Sequence, residues 1–325
     1  MLNCQIAPIV AEALAKKAPI VALESTIITH VMPWPQNLDM AKSVESCVRE
    51  AGATPATIAV IDGVLKIGLS AADLTQLAQT KNAAKLSRAD LALCMAQKKT
   101  GATTVAATMI AANFAGISVF ATGGIGGVHR GAENSFDISA DLRELALTPV
   151  TVVAAGAKAI LDIPKTLEVL ETYGVPVICY RSDVFPAFWS AGSPYPAPLR
   201  MDEAKQIALA HKMRAELGLS GGQLVANPIP LDDKIPQREI DPVIAEALTE
   251  AAQQKITAKA VTPFLLSRVF DMTQGRSLTA NIALVLNNAR LAAQIAQNLL
   301  HSRYCLGLMG MNLVRTSECD MCWLR

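Results

Sequence analysis

The chain has 325 residues, of which 51% are hydrophobic and 18% charged, a balance that excludes a disordered chain, a coiled coil and collagen. Its 29 Lys+Arg against 28 Asp+Glu leave a net charge of +1 with no long basic run, so the electrostatic footprint of a nucleic-acid binder is missing and no nucleic acid is expected as a partner. The length suits two average domains or one large α/β domain.

Strands are expected at 19–25 (PIVALES), 56–63 (ATIAVIDG), 116–122 (GISVFAT), 150–156 (VTVVAAG), 175–180 (VPVICY) and 224–230 (LVANPIP). Between them, apolar residues at helical spacing predict helices over 38–52, 70–80, 103–114, 157–173 and 203–217. This alternation implies an α/β fold, three layers with a mixed, largely parallel sheet flanked by helices. Residues 181–201, with Pro186, Pro194, Pro196 and Pro198, read as a long irregular loop of the kind that borders sites. Helical patterns at 240–255, 262–273 and 277–299 then follow one another and pack onto the sheet without extending it.

Residues 100–129 contain no Asp, Glu, Lys or Arg, but Asn113, Gly116, Gly123, Gly124, Gly126 and Gly127 interrupt the stretch, so no membrane span is expected. The N-terminus lacks a positive region ahead of its apolar residues and does not read as a secretory signal. The cysteines, seven in all, suit reduced thiols in a cytoplasmic setting better than a disulfide framework. Beyond residue 300 the helical period is lost, giving an expected division into one domain over 1–300 and a divergent tail over 301–325. His301, Cys305, Cys319 and Cys322 in that tail offer a zinc reading, but a single CxxC is the one ligand-like spacing among them.

Four places could carry chemistry. The run ATGGIGGVHRGA (121–132) follows a strand yet fails the dinucleotide pattern, because His129 stands at the sixth position. It reads either as a structural turn or as a loop of free N–H groups that, with His129 and Arg130, cradles a phosphate monoester. Lys158 follows a strand among small and apolar residues, where desolvation would free its lone pair for imine formation, or where it could be an ordinary snorkelling lysine. Glu24, at the end of PIVALE, lies where α/β sheets bind ligands and is a candidate general acid or a helix cap. Asp137 and Asp141, four apart, would share a helical face and invite a divalent cation, or serve as an acidic N-cap box.

The strings VALESTIITHVMPWPQN, KLSRADL, GATTVAATM, FATGGIGGVHRGAENSFDISADL, AGAKAILD, YGVPVICY, VANPIP, TPFLLSRV and SLTANIALVLNNA, in this order over 5–298, resemble the pseudouridine-5'-phosphate glycosidase family. The resemblance implies a homotrimeric, Mn²⁺-dependent enzyme that reversibly cleaves the C–C glycosidic bond of pseudouridine 5'-phosphate to uracil and ribose 5-phosphate, in a catabolic role. By the same matching Lys158 is the nucleophile that forms an imine with the ring-opened sugar, and Glu24 the proton donor. Asp137 falls on the metal position. Lys85, Val105, Ser139, Ala140 and Asp141 fall on substrate contacts, His129 and Arg130 join Lys85 at the phosphate, and Asn281 reads the uracil edge. The chain departs from the family pattern at Val31, where a glycine is usual after the histidine of the first motif, and in the tail.

Overall fold

The computed structural model describes residues 3–256 and 261–305. In chain order its strands are β1 (Cys4–Ile6), β2 (Ile20–Leu23), β3 (Thr54–Ile61), β4 (Val64–Ile67), β5 (Ala84–Leu86), β6 (Gly101–Thr103), β7 (Val119–Ala121), β8 (Val128–His129), β9 (Thr151–Ala154), β10 (Leu161–Asp162), β11 (Val177–Tyr180), β12 (Leu199–Met201) and β13 (Gln223–Ala226). Eleven of them form one sheet in the order β1-β4-β3-β2-β7-β9-β13-β11-β12, with β6 also paired to β3 and β5 to β6, while β8 and β10 make a separate antiparallel pair. From β3 through β2, β7, β9, β13 and β11 to β12 every pairing is parallel, and β3 meets β4 and β6 antiparallel.

The expected α/β architecture is therefore present. Its central strands IVAL, VFA, TVVA and QLVA are buried at every position, as strands covered on both faces by helices must be. Helix Val105–Phe114 packs against β2, β3 and β7, and the long helix Arg276–Cys305 lies along β2, β7 and β9.

Each of the six expected strands overlaps an observed one, but several short elements escaped the sequence reading. β4 returns from β3 through Asp62 and Gly63, both at positive φ (50° and 77°), the geometry that an Asp-Gly pair supplies in a two-residue hairpin. Helix Thr26–His30 follows β2 after two residues, its sequence TIITH being rich in β-branched residues that lower helix propensity.

The helix expected over 157–173 is corrected: it begins at Ile163. The Asp162 side chain accepts from Lys165 N at 3.1 Å and Pro164 sits in the first turn, both helix-start signals. Residues 157–160 are outside any helix, so Lys158 precedes this helix and does not lie in its first turn.

Candidate active site

Parallel strands send their carboxyl ends to one edge of the sheet, and ligands of α/β folds bind there. Glu24 follows β2, Thr122 and the glycine run follow β7, and Lys158 lies in the loop after β9. Glu24, Gly123, Gly124 and Lys158 line one cleft. Its far wall is mostly apolar, made by Leu284, Val285 and Asn281 of the long helix, Thr262, Pro263 and Leu266 of helix Val261–Met272, and Phe188 from the loop between β11 and β12, which shortens the expected 181–201 loop at its end. Lys85 on β5, with Thr26, Ile27, His30 and Val31, completes it.

Glu24 is held by its neighbours. Thr26 Oγ1 donates to its Oε2 and Thr122 Oγ1 to its Oε1. The next residue, Ser25, is fully buried. Its hydroxyl donates to Ile58 O at 2.7 Å and accepts from Thr103 N at 2.9 Å. This ties the end of β2 to β3 and β6. Lys158 is fixed through its backbone, its N–H donating to Ile125 O at 3.1 Å and its carbonyl accepting from Leu161 N at 3.0 Å.

Part of the glycine run is not the open cradle that the sequence suggests. Ile125 N donates to Gly156 O, Gly126 N to Asp141 Oδ2, Val128 N to Thr166 Oγ1 and His129 N to Asp137 O, all at 2.8–3.1 Å. The glycines permit close packing. A Cβ on Gly126 would stand 2.3 Å from Ser139 Oγ, and one on Gly124 2.6 Å from the Phe188 ring.

Asp137 and Asp141 do not share a helical face, which corrects the paired-carboxylate reading. Ile138 bridges to Val128 in extended backbone, and the helix Ala140–Leu147 starts only after Ser139, whose hydroxyl accepts from Asp141 N. Asp141 is buried and clamps two loops, its Oδ1 accepting from Ala106 N at 2.9 Å and its Oδ2 from Gly126 N at 2.8 Å. Neither Ser139, the exposed Ala140, nor the core residue Val105 lines the cleft. Arg130 is not brought to it either: its guanidinium donates to Ala159 O at 3.5 Å and borders a separate depression beside Asp162 and Asp241.

The imidazoles beside the cleft are held below their ordinary range. For His30 the main cause is burial, with the Lys85 charge in support. For His129 burial again leads; Asp137 opposes it, and Lys85 and Lys158 add to it. His129 thus feels Asp137, Lys85 and Lys158 at once.

The family described as Indigoidine synthase A like protein matches residues 9–298. A pseudouridine-5'-phosphate glycosidase of Roseobacter denitrificans is 69% identical over 291 residues, covering 90% of this chain and 94% of the relative. One of Geobacillus kaustophilus is 57% identical over 290 residues, 89% and 96% of the two chains. The chain belongs to the pseudouridine-5'-phosphate glycosidase family. Among solved structures, the prealnumycin C-glycosynthase AlnA in complex with ribulose 5-phosphate superimposes with a TM-score of 0.86 at 38% identity, over 94% of this chain and 99% of that one. An indigoidine synthase A-like protein of Thermotoga maritima gives 0.83 at 32%, over 92% and 97%.

The family glycine replaced by Val31 has no conformational role here. Val31 closes helix Thr26–His30 at φ −118° and ψ −35°, a backbone that any residue adopts, so the replacement changes what fills the cleft wall rather than the turn. As for a metal, among the described residues no three His, Cys, Asp or Glu side chains gather as a ligand set. Both Asp141 oxygens already accept backbone N–H groups. That leaves the half-buried Asp137, and one carboxylate fits a hard ion that keeps most of its water. The zinc set of His301, Cys305, Cys319 and Cys322 lies outside the described side chains. Among the described residues no helix is long and apolar enough to cross a membrane.

Sequence reasoning missed His30, Thr26, Thr122, Phe188 and Asn288. One of them was legible. Asn288 stands seven residues after Asn281, two turns along the same helix face, and its buried amide donates to Thr122 O at 2.8 Å while its Oδ1 accepts from Asn227 Nδ2 at 3.1 Å.

Proposed function

We propose that this chain reversibly cleaves the C–C glycosidic bond of pseudouridine 5'-phosphate, releasing uracil and ribose 5-phosphate, in a catabolic role in the cytoplasm and as a homotrimer. The observation that carries the reading is the sharing of one cleft by an amine, Lys158, and a hydroxyl-anchored carboxyl group, Glu24. The names of the relatives support it, as does the sugar phosphate bound by AlnA. The apolar wall around Phe188, Leu284 and Val285 suits a pyrimidine ring, and the polar end around Lys85 and His30 suits a phosphorylated sugar.

A C-glycoside has no leaving oxygen to protonate, so a pair of carboxylates serving an O-glycoside would leave the bond untouched. The Lys158 amine, once deprotonated, bonds to C1' as the C1'–O4' bond of the ribose ring breaks, and the proton that the nitrogen sheds passes to O4', which leaves the sugar open-chain. The nitrogen lone pair then forms a C=N⁺ bond as the electron pair of the C1'–C5 bond passes to the base. Glu24 delivers the proton that the uracil carbon needs at that moment. Water adds to the iminium, releases the sugar as its aldehyde and returns the amine.

Asp137 would hold one Mn²⁺ ion, which when bound supplies positive charge to substrate oxygens. Incubation of the chain with pseudouridine 5'-phosphate and Mn²⁺ should release uracil, detected by chromatography. A folded, metal-loaded chain that releases none sinks the reading. Light scattering of the purified chain tests the trimer.

A further inference from the structure

We infer that Trp189 is a positioning residue that sets the hydrogen-bond polarity of Asn281 and thereby the choice of base; this rests on the glycosidase reading above. An indole N–H can only donate, and a primary amide presents an acceptor at one end and two donors at the other. Trp189 Nε1 donates to Asn281 Oδ1 at 2.7 Å. With its oxygen turned to the indole, the amide directs its N–H groups toward the cleft that Asn281 lines.

Both partners are held. Trp189 is wholly buried, meets Phe188 edge-on with ring centroids 5.1 Å apart, and its carbonyl accepts from Ile235 N at 2.8 Å. Asn281 is 7% exposed on a helix that is anchored further along by Asn288, bonded to Thr122 O. An Asn flip would set N–H against N–H in a buried place, so the orientation is fixed.

A cleft that offers N–H groups takes a base carbonyl and refuses an amino group, which brings a second donor to a donor. Trp189 thus makes the site one for a dioxopyrimidine. Replacing the indole with a ring that cannot donate frees the amide to turn either way, and the discrimination should fall although Asn281 is untouched.

The test compares kcat/KM for pseudouridine 5'-phosphate with that for its two analogues in which one base carbonyl is replaced by an amino group. The wild type should disfavour at least one analogue by tenfold or more, and Trp189→Phe should narrow that ratio by about tenfold. Equal losses on all three substrates would reduce Trp189 to a packing residue and overturn the inference. If Trp189→Phe does not fold by circular dichroism, Asn281→Asp serves instead. It keeps an oxygen for the indole and turns another to the cleft, so preference should move toward the amino analogue; an unmoved preference also overturns the inference. Wild-type chain that leaves pseudouridine 5'-phosphate uncleaved sinks the glycosidase reading itself, whereas cleavage with unchanged ratios sinks the Trp189 role alone.

Discussion

Thr122 donates its hydroxyl to Oε1 of Glu24 while its own carbonyl is gripped by the amide of Asn288 from the long C-terminal helix. The carboxyl group proposed as proton donor is thereby positioned by the core and not by substrate. Thr122→Val keeps the volume and removes the donor. Loss of one hydrogen bond, worth about 1 kcal/mol, should lower kcat roughly fivefold, at 1.36 kcal/mol per decade. Thr122 does not line the cleft, so KM should hardly move. Steady-state kinetics check this, and an unchanged kcat would show that Thr26 alone orients Glu24.

The Asp141 clamp joins two loops that follow different strands. Removing its carboxylate with Asp141→Ala leaves the N–H groups of Ala106 and Gly126 without their acceptor, at about 2–3 kcal/mol for bonds to a charged group. Thermal unfolding should report that loss, and turnover should fall with it because the glycine run beside Lys158 loses its support. Gly126→Ala should do the same by another route, as its Cβ would meet Ser139 Oγ at 2.3 Å and Asp141 Oδ2 at 2.8 Å. A variant with wild-type melting temperature would mean that the loop is held by its other bonds alone.

The frame of this fold was legible because its central strands are short apolar runs between helical periods, a pattern that burial on both faces imposes. Glu24 and Lys158 were legible as lone ionisable groups at strand ends. The role of the glycines was not, since composition cannot tell a loop whose N–H groups face a ligand from one whose N–H groups meet Asp141 and Thr166. The pairing of Trp189 with Asn281 spans 92 residues and left no local signal. Val31 read as a departure from the family pattern, yet its φ of −118° needs no glycine.

Acid should destabilise the chain through its histidines first. Burial holds His30, His129 and His211 below the ordinary 6.5, so the folded chain keeps them neutral where the unfolded chain takes up protons. The unfolded state then binds more protons, and stability rises with pH. The contribution is fully present above 6.5 and is lost as pH falls below that value toward the lowered folded ones. The melting temperature should therefore drop between about pH 7 and pH 5, above the range in which carboxylates titrate. His211 lies away from the cleft, its Nδ1 paired with Thr151 Oγ1 at 3.0 Å. His211→Asn should make the drop smaller, and an identical drop would assign the effect to the other two.

Lys158 is the proposed nucleophile, and its chemistry can be separated from its charge. Its backbone is anchored to Ile125 and Leu161, so a change of side chain should leave the loop in place. Sodium borohydride added during turnover should reduce the iminium to a stable amine and add the mass of the sugar phosphate to the peptide that contains Lys158. Lys158→Arg keeps a cation able to hold phosphate but has no free amine for the imine. It should bind ribose 5-phosphate, release no uracil and gain no mass on borohydride treatment. Uracil release at a normal rate by Lys158→Arg would remove covalent catalysis from this site and leave the lysine as a phosphate contact.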